Sequence, residues 1–169
     1  MKTILIGNVI SFLAAVLLAL SCWTKEPKRV FAFQIAENII LAISSLVFGS
    51  YSAAVSTLLS TLRMGIVLKG KYTKRVMIFF CILLTALGLA LNTRGAVGLL
   101  PVLATLEFAY ANYRFTEIKA IKWSLCINLI LWDVYAFAIR DYASGVTWVI
   151  TLAVTFVSLF RLYRTEQTE

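Results

Sequence analysis

The sequence predicts an all-α integral membrane protein with seven transmembrane helices, built as two parallel three-helix repeats joined by a linker helix. Three observations lead there. The 169 residues are 61% hydrophobic and 14% charged, with a mean hydropathy of +0.89, whereas a soluble domain carries about 45–50% apolar and about 25% charged residues. Too few charges remain to cover a water-exposed surface. Apolar windows of bilayer-crossing length also recur between charged clusters along the whole chain. Finally, the two ends of the chain resemble each other at an offset of about 90 residues.

A bilayer core about 30 Å thick needs about 20 helical residues, and the windows follow in order. Span one is Thr3–Trp23, after Lys2. A signal peptide is the alternative, because Ala19-Leu20-Ser21-Cys22 resembles a lipoprotein cleavage box, but the stretch is long for that role and the repeat needs this helix. Pro27 and the charges of Thr24–Arg29 break the chain before span two, Val30–Phe48. The Gly49–Ser52 turn leads to span three, Ala53–Leu68, and basic Lys69–Arg75 leads to span four, Val76–Leu91. After Asn92–Ala96 comes span five, Val97–Tyr110. It is short and contains Pro101 and Glu107, so an interrupted helix is expected, with neighbours or water satisfying the freed backbone groups. Ala111–Ala120 then precedes span six, Ile121–Ile139, and Arg140–Tyr142 precedes span seven, Ala143–Leu162. The expected division is a first bundle over 1–70, a linker helix within 71–94, and a second bundle with a short tail over 95–169.

The repeat rests on particular residues. Asn38-Ile39-Ile40-Leu41 falls on Asn128-Leu129-Ile130-Leu131, and after a one-residue gap Tyr51-Ser52-Ala53-Ala54-Val55-Ser56 falls on Tyr142-Ala143-Ser144-Gly145-Val146-Thr147. Spans one to three then overlay spans five to seven. A three-helix unit reverses the side of its ends, so a second copy in the same orientation requires one extra crossing, span four. Parallel repeats with a solute site near the midplane are a transporter arrangement. Chance similarity between two apolar segments is the competing explanation.

Charge placement sets the orientation. The net charge is +8, a value compatible with nucleic acid, anionic lipid or loop-orienting charge. With seven spans, one side holds Lys25, Lys28, Arg29, Lys69, Lys71, Lys74, Arg75, Arg114, Lys119, Lys122, Arg161 and Arg164, and the other only Lys2, Arg94 and Arg140. By the positive-inside rule the N-terminus lies outside and the C-terminus in the cytoplasm. No nucleic-acid partner is implied; the bilayer is the partner. There is no His, and Cys22, Cys81 and Cys126 show no CxxC or Cys/His grouping, so neither metal, cofactor nor disulfide framework is expected. The absence of a nucleophile/base group or phosphate loop argues against an enzyme.

The order and spacing of Gly49-Ser50-Tyr51 through Leu62-Arg63, Val76–Ala90 with Gly88-Leu89-Ala90, Leu99-Leu100-Pro101-Val102, Trp123 and Arg161-Leu162-Tyr163-Arg164 resemble the bacterial inner-membrane YgjV-type proteins over nearly the whole chain. That family is similar to PnuC-type vitamin-precursor transporters and SWEET sugar facilitators, which share the three-plus-one-plus-three plan. The resemblance implies an inner-membrane solute facilitator, without a substrate. The paired Pro-Gln motif of the sugar facilitators is absent here.

Apart from Lys122 and Arg161 at span ends, grouped with the flanking charges, four charged residues fall within spans: Glu37, Arg63, Glu107 and Asp133. Such groups are expensive in hydrocarbon and usually face an interior or an aqueous cavity. Glu37 and Arg63 lie about 12 and 13 residues either side of the Gly49–Ser50 turn, hence at equal depth at 1.5 Å per residue. Either they pair, or Arg63 snorkels and Glu37 is protonated. Glu107 and Asp133 are candidates for proton uptake.

On span two, Gln34, Asn38 and Ser45 share a face within about 40° at 100° per residue. Ser124, Asn128, Trp132 and Tyr135 occupy the corresponding face of span six. Two amides could hydrogen-bond a polar solute while Trp132 and Tyr135 stack on a ring; ordinary interhelical bonding is the alternative. On span seven, Ser144, Thr147, Trp148, Thr151, Thr155 and Ser158 form a stripe that serves either close packing or a wet path. The expected solute contacts are therefore Gln34, Asn38, Asn128, Trp132, Tyr135 and Thr151. Two functions remain open: a facilitator of a small polar solute such as a vitamin precursor, nucleoside or sugar, working by alternating access, and a non-transporting assembly partner or sensor. A homo-oligomer is also open.

Overall fold

The computed structural model describes the backbone of residues 2–23 and 27–166 and the side chains of 2–20 and 32–164. Among these residues each expected apolar window is an α-helix: α1 (Lys2–Trp23), α2 (Pro27–Val47), α3 (Tyr51–Leu68), α4 (Lys74–Ala90), α5 (Leu100–Arg114), α6 (Ile118–Ile139) and α7 (Tyr142–Glu166). The connection at Thr24–Glu26 and the side chains of Cys22, Lys28 and Arg29 lie outside the described residues. α1, α3, α6 and α7 are long and apolar enough to cross a membrane. α2 contributes a shorter apolar run, Ala32–Val47. α4 and α5 have 17 and 15 residues.

Both prolines sit where they do no harm. α2 starts at Pro27, inside the stretch expected to be a connection. The expected interruption of span five is corrected in the same way. A 3-10 turn at Val97–Leu99 leads into α5, and Pro101 occupies its first turn, where its missing N–H would have had no intrahelical partner. α5 then continues unbroken past Glu107 to Arg114. The chain therefore has no proline hinge within a described helix interior.

Successive helices pack as neighbours, and α3 also packs on α5 and α1 on α7. α1, α2, α3, α5, α6 and α7 thus close a ring, with α4 outside it against α3 and α5. The polarity is reversed relative to a water-soluble bundle. Leu5, Phe12, Leu62, Phe79, Ile82 and Val154 are each more than half exposed, while Ser11, Ser44, Ser52, Ser56 and Arg63 are buried. Apolar surface in water costs about 25 cal/mol per Å²; against lipid chains that penalty disappears, and the ring needs only its inner polar groups satisfied.

Short turns fix the direction of each helix. The N-terminus, the α2–α3 turn, the α4–α5 loop and the α6–α7 turn share one end, here the amino end, with Lys2, Arg94 and Arg140. The α3–α4 and α5–α6 turns and the end of α7 share the other, with Lys69, Lys71, Lys74, Arg75, Arg114, Lys119, Lys122, Arg161 and Arg164, the basic end. Two amino-end turns close alike. Gly49 (φ +71°) ends α2, and the Ser50 N–H donates to the Ser45 carbonyl at 2.8 Å. Arg140 (φ +67°) ends α6, and the Asp141 N–H donates to the Ala136 carbonyl at 2.9 Å. Glycine adopts the left-handed cap at no steric cost; the Arg140 cap carries a side chain there and is the only described non-glycine residue with positive φ.

Candidate functional site

A cavity of about 420 Å³ lies inside the ring. α2 contributes Glu37, Asn38, Leu41 and Ser45, α3 contributes Thr57, Ser60, Arg63, Met64, Val67 and Leu68, and α5 contributes Phe108 and Asn112. α6 adds Asn128, Leu129, Trp132 and Tyr135, joined by Asp141 and Trp148. Leu68, the last residue of α3, is exposed, so the cavity reaches the basic end. Toward the amino end its wall includes Tyr135 and Asp141, beside a layer of Phe48, Ala53 and Ile139 against which Ile4, Val97, Leu100 and Trp132 pack.

Of the expected solute contacts, Asn38, Asn128, Trp132 and Tyr135 line this cavity. The Asn38 amide donates to the Gln34 carbonyl at 2.9 Å, and the Asn128 amide donates across to Ala104 on α5 at 2.7 Å. Each amide keeps its side-chain oxygen and a second N–H for another partner. Trp132 stands edge-on to Tyr135 with centroids 5.8 Å apart, and 5.3 Å from Trp148. The Tyr135 hydroxyl makes no hydrogen bond and neighbours the equally unpartnered Ser50 hydroxyl. Gln34 is only half-buried and is not among the lining residues.

The hydroxyl stripe of α7 is corrected as a wet path. Thr147, Thr151 and Thr155 donate back to the carbonyls of Ala143, Thr147 and Thr151 at 2.8–2.9 Å, and Ser158 accepts from Lys122 Nζ. Hydroxyls that donate to their own helix keep only acceptor lone pairs for another group, and of this stripe only Trp148 lines the cavity. Thr151 is therefore not a lining residue.

The expected Glu37–Arg63 ion pair is also corrected. Both residues line the cavity, yet they do not touch as a pair. Arg63 Nη1 donates to the Phe108 carbonyl at 3.1 Å, and the guanidinium stands 5.2 Å from the Phe108 ring centroid. The acid in its electrostatic neighbourhood is Glu107. Equal depth within a hairpin says nothing about azimuth: α3 packs directly on α5, and a long side chain pointing that way meets α5 first. Arg63 is 5% exposed, and its guanidinium also meets the Tyr72 hydroxyl of the α3–α4 turn at the basic end. Glu37 has no hydrogen-bond or ion-pair partner among the described residues. Glu107 accepts from the Ser124 hydroxyl at 2.6 Å, and Asp133 is buried on α6 with Oδ1 unbonded. Neither acid lines the cavity.

Asp141, read from the sequence as a connecting residue, is a buried, cavity-lining position that this reading missed. It is 6% exposed. Its Oδ1 accepts from the Ser144 N–H at 3.2 Å, capping α7, and its Oδ2 accepts from Ser11 on α1 at 2.8 Å. Ser11 and Ser44 share a hydrogen bond of 2.7 Å. Beside them Asn8 donates to the Arg140 carbonyl at 2.9 Å and accepts from the Ala143 N–H at 3.0 Å. An Asp directly before an apolar helix is an N-cap signature, and that signal could have singled it out. Burial pushes the Asp141 carboxyl above the ordinary 3.8, opposed by the bonds from Ser11 and Ser144.

A ring of helices with a hydrocarbon-like outer surface and a polar, charged cavity inside defines a polytopic membrane protein. The chain belongs to the Imp-YgjV family of bacterial inner membrane proteins, whose model matches residues 5–166. It is accordingly a protein of the bacterial inner membrane. No curated protein and no solved structure matches the chain.

Proposed function

We propose that the protein is a transporter or facilitator of a small polar solute, working by alternating access between α1–α3 and α5–α7. The observation that carries this reading is the cavity: its walls come from both triplets, and it combines three amides, two indoles, one basic residue and two acidic ones. A few placed polar groups among aromatics is the composition of small-molecule pockets. Trp132 and Trp148 suit a flat ring, Asn38 and Asn128 a neutral polar edge, and Arg63 opposite Glu37 a solute whose two ends differ in charge.

Support for a three-plus-one-plus-three architecture comes from the ring. The contacts of α3 with α5 and of α1 with α7 occupy equivalent places in two copies, and the equivalent turns at Gly49-Ser50 and Arg140-Asp141 close with the same hydrogen bond. In this reading all seven helices cross the bilayer with the basic end in the cytoplasm, which makes the described conformation open inward. The resemblance to PnuC-type transporters and SWEET facilitators points the same way. No residue set in this reading performs enzymatic chemistry.

Uptake of radiolabelled nucleosides, vitamin precursors, sugars and amino acids into proteoliposomes tests the proposal. Expected is saturable uptake of at least one compound, abolished by Asn128→Leu and Trp132→Ala in protein that still elutes as a folded species. Absence of both flux and thermal stabilisation across the panel would favour an assembly or sensor role.

A further inference from the structure

Beyond the cavity, a second void of about 10 Å³ lies between α1, α2 and α7, lined by Ser11, Glu37, Ser144 and Thr147 among others. That volume matches one water molecule, and a water there would have the two to four polar partners it needs. Ser144 borders the same void from α7. It is 2% exposed, and its hydroxyl lies beside the Asp141 carboxyl as well as on the void. Glu37 borders this void and the main cavity alike. On the far side of the void, Ser11 donates to Asp141, which lies in the turn at the amino end.

We propose that the protein moves protons along this line, with Asp141 and Glu37 as its two carboxyl stations and one water in the small void between them. The proposal rests on the transport reading and deepens it by naming the driving ion. With Asp141 protonated and Glu37 ionised, the Asp141 proton passes to Ser11 Oγ as the Ser11 proton passes to the water, and a water proton passes to a Glu37 oxygen. Ser11 and the water each finish with the protons they began with; the net change is one proton moved from Asp141 to Glu37. From Glu37 the proton is released into the cavity at the basic end.

Both stations also line the cavity, so a bound solute meets the two ends of the line, while the water step between them runs through the separate void. The charged and titratable groups facing the two stations are few. Glu37 meets Arg63 across the cavity from α3, and from α1 and α7 it meets only the hydroxyls of the void. Asp141 faces Tyr135 on α6, with Arg94 of the α4–α5 loop near the same hydroxyl.

The test uses the full chain in proteoliposomes loaded with a pH-sensitive dye, supplied with the same solute panel. Uptake should acidify the interior. Ser144→Val, which fills the void and lies outside the cavity lining, should take up solute while acidification is strongly slowed, and Glu37→Gln should lose acidification. Uptake without any acidification, or acidification undiminished in Glu37→Gln, would overturn the proton path while leaving the transporter reading intact. If no solute is taken up, the transporter reading fails and the path is judged by infrared difference spectra between acidic and neutral buffer. A titrating carboxylic-acid band that is lost in Glu37→Gln and shifted in Ser144→Val supports the path. A spectrum identical in all three proteins overturns it.

Discussion

The two ends of the ring are held together in different ways. At the amino end, side chains reach from helix to distant helix or loop. Asn8 and Ser11 of α1 bind the α6–α7 turn, Ser52 donates to Gly98 at 2.9 Å, Thr93 donates to Gly49 at 2.7 Å, and the Arg94 guanidinium donates to the Phe48 carbonyl. In the basic half the bonds across helices join neighbours in the ring: Arg63 of α3 to Phe108 of α5 at 3.1 Å, Ser124 of α6 to Glu107 of α5 at 2.6 Å, and Lys122 of α6 to Ser158 of α7, while the cavity-lining Asn112 bonds only its own helix, to Phe108 at 2.7 Å. Satisfied buried polar networks rigidify the elements they join. The contrast is therefore one of reach: the amino end is latched across the two ends of the chain, the basic end between adjacent helices.

The sharpest way to break that contrast is cysteine accessibility, in protein whose Cys22, Cys81 and Cys126 have been replaced. Met64→Cys, in the cavity wall, should react fully with a water-soluble maleimide, whereas Ser44→Cys, behind the latch, should remain unlabelled until unfolding. Equal labelling would remove the distinction between the ends. Next in size, Asp141→Ala deletes the α7 cap and leaves Ser11 with Ser44 as its remaining partner, and should destabilise by about 1–3 kcal/mol in equilibrium unfolding in detergent. Asn112→Ala at the basic end should stay within about 0.5 kcal/mol.

A substitution by volume tests the same latch. A Cβ on Gly7 would lie 2.5 Å from the Phe48 ring, so Gly7→Val should cost about 1–3 kcal/mol by overpacking. A smaller signal is expected from Glu37→Gln combined with Arg63→Gln. Because the two residues do not pair, their coupling in a double-mutant cycle should fall below about 0.5 kcal/mol; a larger value would restore the ion pair. The smallest effect is with pH. The folded-state value of Asp141 lies above its ordinary 3.8, so as pH rises through that interval the unfolded chain releases its proton first and stability falls, levelling above the folded value. Asp141→Asn should flatten this part of a plot of Tm against pH.

The helices were legible because each apolar window is set off by charges or turn residues, and their ends alternate as the basic residues indicate. Depth was legible too: Glu37 and Arg63 do share one cavity. What the chain alone could not give was azimuth between helices. Whether Arg63 turns to α2 or α5, and whether the α7 threonines face water or their own backbone, depends on interhelical contacts that no single-helix periodicity encodes. Pro101 was misplaced for a local reason, since the start of α5 lies a few residues after the apolar run begins. Asp141 was passed over because it looked like one more loop charge, and its burial arises only when α1 returns to meet it.

That return sets an order for biogenesis. The bond from Asn8 to Arg140 joins residues 132 positions apart, and that from Ser11 to Asp141 joins residues 130 apart. Long-range closures of this kind come late in folding. Ser11 meets Ser44 as soon as α2 packs on α1, and Asn8 can bond Ile4 within its own helix, but the bonds to Arg140 and Asp141 wait for the α6–α7 turn. The last two helices thus complete a site that the first two begin.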